Sequence, residues 1–182
     1  YCFVAGNYPT SDRQVHVFLE NLVTSLVEKG EECTVIAPQS YVAYFLKKGI
    51  RREIVSERTT LSGKTYMVYS PLYFVLPKVK IGELSTLDLQ RWIFYKALKN
   101  TYKKNNVNAE LIYSHFVRIG MSGVRLAKEI GIPSFIANGE ADTYAEIKMN
   151  SKALLKQTLE DVTVIIVVSS KNKNEIAKLS WD

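Results

Sequence analysis

Apolar positions along this chain change period repeatedly, and the changes mark the elements. Tyr1–Ala5 is a short continuous apolar run that stops at Gly6-Asn7, as a buried strand would. After a polar loop, Val15, Phe18, Leu19, Leu22, Val23 and Leu26 recur at helical spacing, predicting an amphipathic helix that ends at Gly30. Cys33–Ala37 reads as a second strand broken by Pro38, and residues 40–48 as a short helix. A β-rich excursion through Ile50–Val55 and Lys64–Tyr69 turns near Ser62-Gly63. Ser85-Thr86-Leu87-Asp88 reads as a capping-box variant opening a long helix to about Lys104. Strand Leu111–Tyr113, a helix over 121–130, strand Ser134–Ala137 and a helix near 151–160 follow. Strand Thr163–Val168 and a last helix, capped at Ser169-Ser170 and running to Leu179, close the pattern.

Strands separated by helices, with apolar and β-branched strand cores, predict a parallel sheet covered on both faces. The expected fold is α/β, a single doubly wound, Rossmann-like domain over residues 1–182, without internal repeat or low-complexity linker. The abrupt finish at Leu179-Ser180-Trp181-Asp182 and the start at Tyr1 suit a domain cut from a longer protein.

Composition adds limits. A chain of 182 residues can bury a full core, and 47% apolar with 23% charged residues describes a globular protein. No apolar run approaches the roughly 18–20 residues that span a bilayer. Cys2 and Cys33 lie in strand-like runs with no metal-ligand spacing, so they read as reduced core cysteines of a cytoplasmic protein. The net charge of +6 points to an anionic partner: nucleotide, nucleic acid, anionic lipid or a phosphate-linked substrate.

Candidate chemistry sits at the strand ends, because open parallel sheets bind ligands at their carboxyl edge. The first loop runs Gly6-Asn7-Tyr8-Pro9-Thr10-Ser11-Asp12-Arg13-Gln14 into a helix start, where free N–H groups and the helix dipole favour anions. It has neither a dinucleotide fingerprint nor a P-loop, and Ser11 or Asp12 could equally serve as a helix cap. His115 follows an apolar strand and could donate a hydrogen bond or accept a proton, or be structural; Arg118 could neutralise an anion. His16 reads as structural or exposed. Asn138-Gly139-Glu140 follows the next strand, where Gly139 permits a close approach and Glu140 and Asp142 could hold sugar hydroxyls, or all could form a solvated turn. Glu20 and Glu28 read as surface charge.

Two segments mix aromatic and basic residues: Tyr41–Leu46 followed by Lys47, Lys48, Arg51 and Arg52, and residues 71–77 followed by Lys78 and Lys80. An anionic membrane surface, a core helix with a solvated rim, and a nucleic-acid face all fit that mixture. No recognised nucleic-acid motif is present, so no nucleic-acid partner is expected.

Taken together, several pieces resemble the N-terminal domain of family 4 retaining glycosyltransferases, which have the GT-B fold. They are Asn7-Tyr8-Pro9, Glu28-Lys29-Gly30-Glu31-Glu32, Cys33 to Pro38, Ser114-His115-Phe116 with Gly120, and Gly123 to Pro133. Asn138-Gly139-Glu140-Ala141-Asp142 and Val167-Val168-Ser169-Ser170 complete the set, which covers nearly the whole chain.

The resemblance implies the acceptor-side half of an enzyme that transfers a sugar from a nucleotide-sugar, with retention, to a cell-envelope or polysaccharide acceptor. The co-substrate would be the nucleotide-sugar, with no other cofactor and no metal. The partners would be a glycan or lipid-linked acceptor and the chain's own C-terminal domain, which in that family supplies the paired glutamates. This half alone is expected to show little or no turnover, and no residue of it is assigned a catalytic role. By the same resemblance Gly6, Asn7 and Arg13 lie near the donor phosphates, and His115, Arg118, Asn138, Gly139 and Glu140 line the sugar and acceptor cleft. The expected location is the cytoplasm, with peripheral contact on the inner face of the plasma membrane through residues 41–52 or 71–80.

Two departures stand out. Asp12, Arg13 and Gln14 occupy the region where the family commonly carries a glycine pair. Asn138 stands where the family often has histidine, and asparagine can neither act as a base nor carry charge at neutral pH. A stand-alone small-ligand-binding α/β module without catalysis is the competing expectation.

Overall fold

The computed structural model describes residues 1–10, 14–46, 52–77, 80–81, 84–139 and 152–180. In chain order, β1 (Cys2–Val4) leads through the first loop to α1 (Val17–Glu28), then β2 (Thr34–Ile36), β3 (Gln39–Ser40) and α2 (Tyr41–Leu46). The hairpin β4 (Val55–Thr59) and β5 (Thr65–Tyr69) is followed by short strands β6 (Leu72–Tyr73), β7 (Lys80–Ile81) and β8 (Leu84–Ser85). Helix α3 (Thr86–Lys104), β9 (Ile112–His115), α4 (Val117–Ile130), β10 (Ser134–Asn138), α5 (Lys152–Asp161), β11 (Val164–Val167) and α6 (Ser170–Ser180) complete it.

Seven strands form one sheet in the order β11-β10-β9-β1-β2-β5-β4. Every pairing is parallel except β4 with β5, an antiparallel hairpin turned at Gly63, whose φ of 83° favours glycine. The expected α/β doubly wound, mostly parallel sheet is therefore present, with an antiparallel strand at one edge.

Alternation along β1 divides the core. Cys2 and Val4 face α3 and α4, joining Leu98, Ile112 and Leu126. Phe3 and Ala5 face α1, joining Leu19, Val23, Val27 and Val35. Burial pushes the Cys2 thiol up to about 12 and raises that of Cys33. Both stay protonated and inert, in keeping with their reading as core residues.

The face of α1 differs from expectation. Leu19, Val23 and Val27 carry the burial, while Phe18 and Leu22 are exposed. The helix starts at Val17, with His16 in the N-cap position but no side-chain cap bond, so Val15 precedes it, and Leu19, Val23 and Val27, four residues apart, form the buried face. Helix α4 begins earlier than expected, at Val117 rather than 121, which places Gly120 and Gly123 inside it. Both are packing glycines. A Cβ on Gly120 would lie 2.5 Å from Ile136 Cδ1, and one on Gly123 would lie 2.0 Å from Ser114 Oγ. Helix α4 thus lies flush on β9 and β10, which sets where its first turn meets the sheet edge.

Other local expectations divide. Asn172 N–H donates to Ser169 Oγ at 3.1 Å, so Ser169 caps α6 as its sequence predicts. Helix α3 opens at Thr86, directly after Ser85, as expected, and Asp88 in its first turn pairs with Arg91 at 2.5 Å; the side chain of Ser85 lies outside the described residues. Val164, Ile166 and Val168 are exposed, so β11 is a half-covered edge strand rather than a fully buried one.

Candidate functional site

The carboxyl ends of β1, β9 and β10 lie side by side, because those strands are parallel neighbours. Residues just beyond or at these ends are Gly6 and Asn7, His115 to Arg118, and Asn138 with Gly139. Sequence-distant candidates therefore share one edge of the sheet, where α/β folds place ligands.

The first loop is held from the far edge of the sheet. The buried hydroxyls of Tyr8 and Tyr66 are 3.0 Å apart, and Arg58 Nη2 donates to the Pro9 carbonyl at 3.1 Å. Arg52 is buried; its Nη2 donates to the carbonyls of Ala37 and Pro38, both at 3.0 Å, and its Nη1 to Asn7 Oδ1 at 3.4 Å. Gln39 completes the lock: its Nε2 donates to the carbonyls of Arg52 and Ser70, and its Oε1 accepts from Arg52 N–H. Arg52 therefore does not belong to an exposed basic run. Charge patterning cannot reveal this, because a basic residue after two lysines and an arginine looks solvated.

Gly6 approaches α4, where an added Cβ would meet Ile119 Cδ1 at 3.2 Å. Its small size is used in packing the loop onto the helix. Asn7 is exposed beside it. Arg13 falls outside the described residues, as do Ser11 and Asp12; the cap of α1 is His16, in left-handed conformation at φ 56°.

His115 is only 7% exposed. Its ring packs on Phe18, Phe116 and His16, and its Nδ1 is buried without a hydrogen-bond partner. Burial, reinforced by His16 beside it, pushes its pKa down to about 4. The imidazole is neutral near pH 7, suited to a hydrogen bond and poorly suited to taking up a proton. His16, expected to be structural or exposed, is half-buried and packs edge-on against His115. Nothing local marks that contact, since it joins the loop after β1 to the end of its sheet neighbour β9, 99 residues on in the chain.

Phe116 joins β9 to α4 at φ 71°, ψ 147°, a region that side chains other than glycine rarely adopt. Its N–H donates to the Ala137 carbonyl at 2.9 Å and its own carbonyl accepts from Gly120 N–H at 2.8 Å. Those two bonds tie the strained residue to β10 and to α4. Arg118 is exposed in the first turn of α4, and its charge is felt by Tyr73 and Arg91. It therefore points toward the α3 side, whereas His115 faces α1; three residues of spacing separate them onto different faces.

Asn138 is fully buried at the end of β10, and its carbonyl accepts from Val168 N–H at 3.3 Å. Gly139 is exposed with no positive φ, and an added Cβ would meet Val168 at an ordinary 3.5 Å. The fold alone does not demand glycine there. Glu140 and Asp142 lie outside the described residues.

Among the described residues, no cluster of three or more His, Cys, Asp and Glu side chains could hold a metal ion. No helix among them is long and apolar enough to cross a membrane. A hollow of about 340 Å³ lies elsewhere, between α3, α4 and α5, with Arg91, Trp92 and Arg125 in its lining. None of the expected site residues lines it.

The sequence matches no protein-family model and no curated protein. Solved structures do resemble the fold. Sucrose-phosphate synthase from Thermosynechococcus elongatus superposes with a TM-score of 0.64 at 12% identity, over 97% of this chain and 44% of that one. OtsA in its apo form gives 0.58 at 8% identity, over 98% and 42%. A structure described as trehalose-6-phosphate from E. coli, bound with UDP-2-fluoro glucose, gives 0.53 at 9% identity, over 98% and 42%. This chain spans less than half the length of each. The likeness is one of fold: a Rossmann-like half of the kind found in GT-B glycosyltransferases.

Proposed function

We propose that this chain is the acceptor-side, N-terminal domain of a glycosyltransferase that moves a sugar from a nucleotide-sugar to a cell-envelope or polysaccharide acceptor, with retention of configuration. One observation carries the reading. Three parallel strands bring Asn7, His115 and Asn138 to a single carboxyl edge, in a fold shared with a protein named sucrose-phosphate synthase and with a structure holding a nucleotide-sugar analogue.

The edge behaves as one wall of a cleft. His115 is neutral, so it would meet a sugar without charge, while its buried Nδ1 stays behind the ring packing on Phe18 and Phe116. Asn138 would hold its part of the wall by amide hydrogen bonds, without charge, with Gly139 and Glu140 beyond it. Gly6, Asn7 and Arg13 would stand on the donor-phosphate side, with Arg118 available to an anionic group on the acceptor. The opposite wall and the groups that handle the reaction's charge would come from a C-terminal domain of the longer protein. No resident metal or cofactor is needed in this scheme beyond the nucleotide-sugar.

The test is transfer by the full-length protein containing this chain, offered a panel of labelled nucleotide-sugars and cell-envelope extract, with product anomeric configuration read by NMR. Replacing His115 or Asn138 by alanine is expected to lower kcat/KM by about 10- to 100-fold, the loss of one or two oriented hydrogen bonds. Absence of turnover with every donor would sink the proposal. Tight binding of a small ligand by this chain alone, with no transfer, would favour a non-catalytic binding module instead.

A further inference from the structure

Away from the carboxyl edge, charged and aromatic groups meet in the hollow between α3, α4 and α5. Asp88, Arg91 and Trp92 of α3, Met121 and Arg125 of α4 and Leu154 of α5 stand in its lining. A second hollow, of about 370 Å³, adjoins it, since Met121, Arg125 and Leu154 line both, and it extends to the Lys128–Asp161 ion pair. Together they form a trough along α4.

Ion pairing in the trough is uneven. The Arg91 side chain is 13% exposed and pairs with Asp88 at 2.5 Å, and Lys128 Nζ donates to both carboxylate oxygens of Asp161. Glu129, one turn beyond Arg125 on α4, is held by Lys99 and by the Tyr95 hydroxyl. Arg125 is exposed and has no carboxylate partner among the described residues; its guanidinium lies 4.2 Å over the Tyr95 ring. Stacking fixes the plane of a guanidinium and leaves its edge N–H groups to donate. The trough therefore presents an oriented, uncompensated cation shared by its two parts, with the exposed Trp92 in the wall of the first.

We infer that this trough binds a uronic-acid unit of a glycan. A carboxylate would take two parallel N–H bonds from the Arg125 fork, a geometry that an ammonium does not offer. Trp92 offers an apolar ring to the C–H face of a pyranose. Asp88, already neutralised by Arg91, keeps acceptor sites for sugar hydroxyls. At about 340 Å³ the first hollow lies at the small end of ligand sites, which span about 300–1,000 Å³. That suits one sugar unit, and the second hollow gives the same glycan room to continue past Arg125. A bare anion would engage Arg125 and leave Trp92 and the second hollow unused. The inference rests on this lining and not on sugar transfer, so it and the proposed function fail separately.

The experiment is an NMR titration of this chain with tetragalacturonate and with its methyl ester, which keeps the sugar backbone and lacks the charge. The acid is expected to bind at least about tenfold tighter than the ester. The chain has two tryptophans, and the indole N–H signal of Trp92, assigned through Trp92→Phe, should move on binding. Arg125→Ala should weaken binding at least about tenfold with the circular-dichroism spectrum unchanged, and Arg125→Lys should recover only a part. Equal affinity for the ester, a Trp92 signal that stays in place, or undiminished binding by Arg125→Ala would each overturn the inference. So would displacement of the uronate by an equal concentration of inorganic phosphate, which would leave an adventitious anion site, or tighter binding of uridine diphosphate at the same signal.

Discussion

The imidazole of His115 stands edge-on to that of His16, with ring centroids 6.1 Å apart and planes at 87°. The two histidines of the chain come from different segments. His16 caps α1 in left-handed conformation, and His115 ends β9. Burial, with His16 beside it as the smaller cause, suppresses the charge on His115.

That suppression makes stability depend on pH. The pKa of His115 lies at about 4 in the folded chain, below its ordinary value of 6.5. Between these values the unfolded chain binds the proton and the folded chain does not, so acid favours unfolding. The contribution is complete above pH 6.5 and is lost as pH falls toward 4, at up to about 1.4 kcal/mol per pH unit. Urea unfolding across that window should show the slope, and His115→Phe should reduce it. An unchanged slope in the variant would place the pH dependence elsewhere.

The flush seating of α4 predicts a coupled pair. Gly123→Ala drives a methyl group into Ser114 Oγ and should destabilise the fold by about 2 kcal/mol. Ser114→Ala removes a buried hydroxyl that has no hydrogen-bond partner and should be close to neutral. Combined, the two should cost less than the sum of their separate effects, because the clashing oxygen is gone. Additive losses in a denaturation cycle would count against this packing.

Arg52→Leu should cost about 3 kcal/mol, since three carbonyl or amide oxygens lose their donor in a buried setting. Arg52→Lys should recover little, as one ammonium cannot span Asn7, Ala37 and Pro38 as the guanidinium fork does. Hydrogen exchange should show faster opening of residues 6–9 in both variants, before any change in α3.

Phe116 inverts an ordinary ranking. At φ 71°, ψ 147° alanine is strained and glycine is not, so Phe116→Gly should be more stable than Phe116→Ala by about 1 kcal/mol. Paired urea titrations decide this, and the usual order, alanine above glycine, would show that the turn relaxes.

Much of the fold was legible in the chain. The change from continuous apolar runs to helical spacing located β1, β2, β5, β9, β10 and most of the helices, and Ser169 announced the cap of α6. The misreadings cluster where contacts are long-range. The helix expected from residue 121 left Gly120 outside it, yet Gly120 is needed inside α4 to admit Ile136. Arg52 looked like a solvated cation because its oxygen partners lie 14 to 45 residues away. Glu140 and Arg13 lie outside the described residues, so their assigned roles stand as proposals.

By itself the sequence determined the alternation of strand and helix, the α/β class and the carboxyl-edge location of its polar clusters. These follow from local periodicity, which records which side of each element meets the core. Only the tertiary structure decided that β1 lies between β2 and β9, that His16 meets His115, and that Tyr41 stacks on Phe74. Strand neighbours are chosen by packing and by the handedness of crossovers between distant segments, and a local pattern does not record which distant segment its exposed or buried face will meet.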